Sequence, residues 1–334
     1  MRDCFRSWGL KSDIVCDPPH ILPQLRKEAV ELARFIPACR PEDVVLLHLS
    51  IGSVVNETFA RLPCRKAILY HNITPASYFE AVNRKTALDL ARGREQTGRL
   101  AGVAAVNMAD SRFNADELEA IGYRDVKILP LILNLDGLRQ EVDRKTLRRF
   151  DDGRVNVLFV GRCVPNKKIE DALRAFDCFQ KSVAPFSRFI HVGSFAGTER
   201  YYAMLLTQAK KWELDQVHFA GAATQPQLNA FYRCASVFLC MSEHEGFCIP
   251  IIESMACDVP VMAFAAAAVP ETMDGAGILF REKRYEPVAE MLGRVTKDAA
   301  LRAAVLRGQR ERLARYRQRD LAAELRRHLS PLLE

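Results

Sequence analysis

Two glutamates in E-x7-E spacing, Glu245 and Glu253, frame a glycine and a proline in the stretch CMSEHEGFCIPIIESMACDVP, Cys240 to Pro260. The apolar run Val237 to Cys240 reads as a strand, and it leads into the polar loop Ser242 to Cys248. Pro250 then opens a helix, because proline at the first helical position gives up a donor that had no partner there. Glu245 therefore falls in the loop and Glu253 one turn into the helix. Backbone N–H groups around Gly246, Phe247 and Cys248 lie between the two carboxylates, and a helix start favours anions. Acceptor-only carboxylates flanking a row of donors suit a ligand with many hydroxyls and a phosphate. A sugar nucleotide fits that description.

A second constellation lies upstream. Val155 to Val160 reads as a buried strand, and the following loop, Gly161 to Lys168, carries the cations Arg162 and Lys167. Arginine grips phosphate oxygens as a bidentate fork and lysine acts as a mobile point charge, so the pair suits a diphosphate. Two surface cations in a turn is the plainer alternative. The G-x-x-x-x-G-K spacing of a phosphate-binding P-loop is missing. His71 ends a strand in LYHNITP, with His48 at the end of the strand before it. A lone histidine in such a place is more often structural than catalytic.

The elements that must position these residues follow from the hydrophobic pattern. Hydrophobic residues at 49% and charged residues at 27% are ordinary globular values, and 334 residues are enough for two domains with their own cores. Strand-like runs alternate with helical ones through both halves, which predicts parallel sheets with helices on both faces. Among these, a helix is expected over about 22–36 and a long polar one over 77–98. The expected layout is an N-terminal Rossmann-like domain over 1–140, a linker over 141–153, and a second Rossmann-like domain over 154–316. A last helix, 317–334, is expected to pack back on the first domain. Ligands bind such sheets at strand carboxyl ends, where both polar loops of the second half lie.

The ten cysteines form no C-x-x-C pair, consistent with reduced thiols in a cytoplasmic protein. The net charge of +7 is modest, but six arginines crowd the segment from Arg307 to Arg319. A solvated face is the bland reading. The sharper one is attraction to a phosphorylated substrate or to anionic lipid, a peripheral contact on the inner face of the cytoplasmic membrane. No signal peptide, membrane span or nucleic-acid signature is present in the sequence pattern.

Taken together, VGRCVPNKK (Val160 to Lys168) and SEHEGFCIPIIESMA (Ser242 to Ala256) resemble the family-4 retaining glycosyltransferases, group 1, which have the GT-B fold. VPETMDGAGILF (Val269 to Phe280) extends the resemblance, and ADSRFNADELEAIGY (Ala109 to Tyr123) continues it weakly into the first half. The resemblance implies an α/β protein of two doubly wound domains facing a central cleft, with the N-terminal domain's first strand absent from this sequence. It implies Arg162 and Lys167 on the donor diphosphate, Glu253 on the ribose, and Glu245 with backbone groups of Gly246 to Cys248 on the transferred sugar. Cys248 stands where many members have glycine. His71 is implied near the reacting sugar carbon, a catalytic position it shares with Glu245.

The function so implied is transfer of a sugar from a nucleotide-diphosphate donor, UDP- or GDP-linked, to a hydroxyl of a glycan or lipid-linked acceptor. Configuration is retained, no metal or other cofactor is needed, and the setting is cell-surface polysaccharide or glycolipid synthesis. The alternative is an inactive sugar-nucleotide-binding or partner subunit.

Overall fold

Short apolar runs such as VVLLHL, VNVLFV and SRFIHV are too brief for buried helices and rich in β-branched residues, and they form the strands of two parallel sheets. The computed structural model describes residues 1–17 and 23–334. Two compact units result. The first holds Met1–Ala76, Lys85–Ile132 and Asp320–Glu334, and the second holds Ser77–Arg84 and Leu133–Arg319.

In the first unit, β1 (Ile14–Cys16) and β2 (Ala29–Glu31) pair in parallel as a small separate sheet. The main sheet has β3 (Val44–Leu49), β4 (Arg65–Tyr70), β5 (Val106–Ala109) and β6 (Lys127–Ile128), side by side in chain order and all parallel. The helix expected over about 22–36 is replaced by a 3-10 turn, Pro23–Glu28, then β2 and the short helix Leu32–Phe35. Leu22 itself lies outside the described residues. Pairing with β1 has overridden the helical pattern there. The long polar helix begins later than its spacing predicts, at Arg84.

The helix Leu321–Leu333 covers this sheet. Leu325, Leu329 and Leu332 are 0%, 1% and 4% exposed and pack with Ala67, Leu69 and Met108 of β4 and β5. Their spacing puts three leucines on one stripe of a helix, which is what a parallel sheet needs on its face.

The second unit is a six-stranded parallel sheet made of β7 (Val155–Val160), β8 (Ser187–Val192), β9 (Val217–Gly221), β10 (Val237–Cys240), β11 (Val261–Phe264) and β12 (Ile278–Phe280). Its order is β12-β11-β10-β7-β8-β9. The chain runs outward from β7 to β9, then returns to lay β10 on the other side of β7. The loops after β7 and β10 therefore leave neighbouring strands in opposite directions and open a crevice between them. The segment 141–153 is not a bare linker, since Arg144–Phe150 is a helix whose cap, Asp143, accepts from Thr146 N at 2.7 Å.

Among the described residues no helix is long and apolar enough to cross a membrane. The arginine-rich segment lies in the helix Ala299–Gln318. Arg310 pairs with Asp258 at 2.7 Å, Arg315 with Asp274 at 3.0 Å, and Arg312 donates to the Thr272 carbonyl at 3.0 Å. Arg310, Arg312 and Arg315 are thus engaged by the unit's own acceptors.

Candidate functional site

The crevice of the second unit begins with a close backbone approach. A Cβ on Gly193, just after β8, would collide with the Gly161 carbonyl just after β7. Gly161 N donates to Val192 O at 2.9 Å and Cys163 N to Ser194 O at 2.9 Å, which ties the two strand ends together. Arg162 sits at this corner, exposed, with its guanidinium on the Ala196 carbonyl at 3.3 Å.

The next residues fold into the 3-10 turn Pro165–Lys167, and Lys168 enters the following helix in a left-handed conformation, φ 51°. Asn166 laces this turn to the loop after β10. Its carbonyl accepts from Glu243 N at 2.9 Å and its side-chain amide donates to the His244 carbonyl at 2.9 Å. Glu243 gathers a charged cluster, with Lys283 at 2.7 Å, Lys168 at 3.5 Å and the Tyr78 hydroxyl at 3.1 Å. Burial works against the Glu243 carboxylate, but Lys283 and Lys168 outweigh it and hold its pKa below the usual range.

Lys167 and Glu245 come together, the ammonium 2.5 Å from the carboxylate, with side chains 20% and 7% exposed. Burial disfavours the lysine's charge, yet Glu245 and the neighbouring Cys248 and Cys240 raise its pKa above the ordinary value. Cys248 donates toward Cys240, so its own thiol is pushed well up while that of Cys240 is pulled down.

Cys248 caps the helix Ile249–Ala256 with φ 68°, left-handed backbone in which glycine costs least. That is the physical content of a glycine preference at this position. Gly246 is half-buried beside it. Phe247 is 6% exposed and its carbonyl is taken by the Thr272 hydroxyl, so its ring belongs to the core. Glu253 lies one turn into the helix, and its Oε2 accepts from the Tyr232 hydroxyl at 2.7 Å. Burial raises the Glu253 pKa, and Tyr232 offsets part of that rise.

A separate polar chain lies at the strand ends of the first unit. His48 Nδ1 is 2.8 Å from His71 Nε2, with the two rings stacked at 12°, and His71 Nδ1 is 3.2 Å from Asp110 Oδ2. These residues end β3 and follow β4 and β5, three neighbours in the sheet. Asp110 is 2% exposed; burial raises its pKa while His71 and Asn114 oppose the rise. A carboxylate accepting from His71 Nδ1–H leaves Nε2 to accept from His48, a series hydrogen bond of the kind that orients imidazoles in proton transfer.

Asp110, Tyr232, Cys240 and Asn166 were missed by the sequence reasoning. Asp110 carried a signal, since it follows β5 as His71 follows β4. Tyr232 carried none, because its contact with Glu253 spans two helices.

A family model described as glycosyl transferases group 1 matches residues 140–317. The chain is 24% identical over 165 residues to the O-antigen chain mannosyltransferase B of Escherichia coli, covering 45% of this chain and 39% of that one. It is 33% identical over 162 residues to the D-inositol 3-phosphate glycosyltransferase of Acidothermus cellulolyticus, covering 46% and 35%. The matches thus span well under half the length of these curated relatives.

Among solved structures, Anabaena HepE in complex with UDP and glucose aligns with a TM-score of 0.71 at 16% identity, covering 90% of this chain and 81% of that one. The sucrose-phosphate synthase from Thermosynechococcus elongatus aligns at 0.69 with 18% identity, covering 96% and 86%. At such identities the likeness speaks for the fold, which is GT-B.

Proposed function

The chain belongs to the glycosyl transferases group 1 family, and from that premise we propose that it moves a sugar from a nucleotide-diphosphate donor to an acceptor hydroxyl with retention of configuration. One observation carries the proposal. Cationic, carboxylate and helix-start groups converge on the crevice between β7 and β10, inside the matched region.

Arg162 and Lys167 take the diphosphate, with the start of the helix Ile249–Ala256 adding its dipole. Glu245 holds Lys167 in place and accepts from hydroxyls of the donor sugar. The second oxygen of Glu253, not used by Tyr232, accepts from the ribose. The bond from the anomeric carbon to the diphosphate oxygen breaks, and its electron pair stays on the diphosphate. The acceptor oxygen bonds the anomeric carbon on the same face, and its proton passes to the departing diphosphate. Stabilising charge where it develops is worth several kcal/mol per donor removed. His71 belongs to the first unit, where Asp110 orients its ring.

The donor is UDP- or GDP-linked, the acceptor is a glycan or lipid-linked hydroxyl, and the process is cell-surface glycan synthesis. The O-antigen chain mannosyltransferase among the relatives supports a glycan acceptor, and the inositol 3-phosphate glycosyltransferase supports only transfer to a hydroxyl compound. The positive side chains stand in for a divalent ion, so a chelator leaves the rate unchanged.

A thermal-shift panel of UDP-, GDP- and ADP-sugars is the first test, since a ligand that binds only the folded state raises its melting point. One donor class should stand out, and Arg162→Ala and Glu253→Ala should each lose that shift and the transfer. Full activity in either variant would sink the assignment. A donor shift with no turnover on any acceptor would favour a binding subunit.

A further inference from the structure

Two thiols and a carboxylate meet in the second unit with no assigned joint role. Cys240 Sγ, Cys248 Sγ and a Glu245 oxygen all lie within 4.8 Å of one another, and all three residues are buried. Cys240 closes β10, Glu245 lies in the loop and Cys248 caps the next helix, so three different pieces of backbone fix the cluster. The loop between them is pinned. Asn166 holds Glu243 N and the His244 carbonyl, and Ala268 N donates to the Glu245 carbonyl at 3.2 Å.

The charge now among these groups is the Lys167 ammonium, 2.5 Å from the Glu245 carboxylate. The cluster is thus arranged around a cation. Sulfur and carboxylate oxygen at such spacing are ligands of choice for zinc-like ions, which prefer tetrahedral sites with thiolate donors. The Ser242 hydroxyl, 3.3 Å from Cys240 Sγ, is at hand for the remaining position, as is water. The lysine side chain is 20% exposed, and its flexible four-carbon stem is free to move the head aside.

We propose that Cys240, Cys248 and Glu245 form a binding site for a thiophilic divalent cation, zinc being the natural one, and that the cation replaces the Lys167 ammonium. Binding forms two metal–sulfur bonds and one metal–oxygen bond. The two thiol protons go to solvent and nothing is oxidised or reduced. The inference does not rest on the transferase reading. Where both hold, Lys167 cannot serve the diphosphate while the cation is bound, so the metal excludes the donor and inhibits transfer.

Cadmium is the probe, because cadmium–thiolate bonds absorb in the ultraviolet. Titrating the full chain in a phosphine reductant should give a charge-transfer band that saturates at one cation per chain. C240S/C248S should weaken binding by about tenfold or more. Lys167→Met, which removes the competing ammonium, should tighten it severalfold. That sign is opposite to what a merely structural lysine would give.

Should the double variant melt early, Cys248→Gly, which suits the positive φ at that position, takes its place. Binding as tight in the cysteine variants as in the wild type, or no tighter in Lys167→Met, overturns the site. The cadmium signal needs no donor. A missing donor shift with intact cadmium binding therefore counts only against the proposed function.

Discussion

Lys167 and Glu245 each make the other's burial tolerable. Removing one partner of a buried pair strands the other charge, at a cost of ~3 kcal/mol or more. Lys167→Ala should therefore destabilise the fold by about that amount, somewhat less for its partial exposure, while Lys167→Ala with Glu245→Gln recovers most of it. Urea unfolding of the single and double variants checks this; equal losses in both would mean the pair is not coupled.

The same pair marks how far the sequence could be read. The loops, the helix start and both glutamates follow from Gly246, Pro250 and the apolar flanks. The contact between Lys167 and Glu245 does not, because it depends on β10 lying beside β7. Tyr232 stayed hidden for a like reason, since it reaches Glu253 across two helices that only the fold brings together.

At the scale of elements, β8 carries a histidine where a phenylalanine would be expected. His191 is fully buried and stacked on Phe159 at 5.7 Å, with the Gly161 backbone opposing the effect of burial on its ring. Burial lowers its pKa from 6.5 to about 4. Above neutrality both folded and unfolded chains hold the ring neutral, so it contributes no pH dependence there. Between 6.5 and about 4 the unfolded chain takes up a proton that the folded chain refuses. Stability should thus fall as pH drops, by ~2 kcal/mol at pH 5 from this residue. His191→Phe should flatten that part of the melting-temperature profile, and an unchanged slope would show the ring to be solvated.

The helix Arg84–Arg99 offers a test of propensity against packing. Glycine to alanine inside a helix ordinarily gains ~1 kcal/mol. A Cβ on Gly93 would meet Gly52 N at 2.5 Å and the Ile73 side chain at 3.1 Å, the first of these backbone. Gly93→Ala should therefore destabilise despite its better propensity, measured by chemical denaturation. Nothing in the local sequence signals this, since a glycine in a polar helix reads as tolerated. Pairing overrode pattern again in 23–35, where β2 took residues that look helical.

For the whole molecule, the alternation of strands and helices was enough to predict two parallel α/β units. The last helix was expected against the first domain, but the pattern did not say which strands it covers. Its three leucines bury against β4 and β5, and each is worth roughly 2 kcal/mol. A chain ending at Arg319 should therefore show an early melting transition for the first unit. The second unit should keep its own transition and its shift with the preferred donor. A single unchanged transition would mean the helix contributes little.

The first unit's sheet is laid down within the first 132 residues, yet one face of it waits for Asp320–Glu334. During synthesis those residues leave the ribosome after the whole of Leu133–Arg319. The unit made first is thus completed last, while the one made second can close as soon as it emerges. Until the helix Leu321–Leu333 emerges, Leu69 and Met108 lack its cover on a nascent chain, a natural point for chaperone engagement.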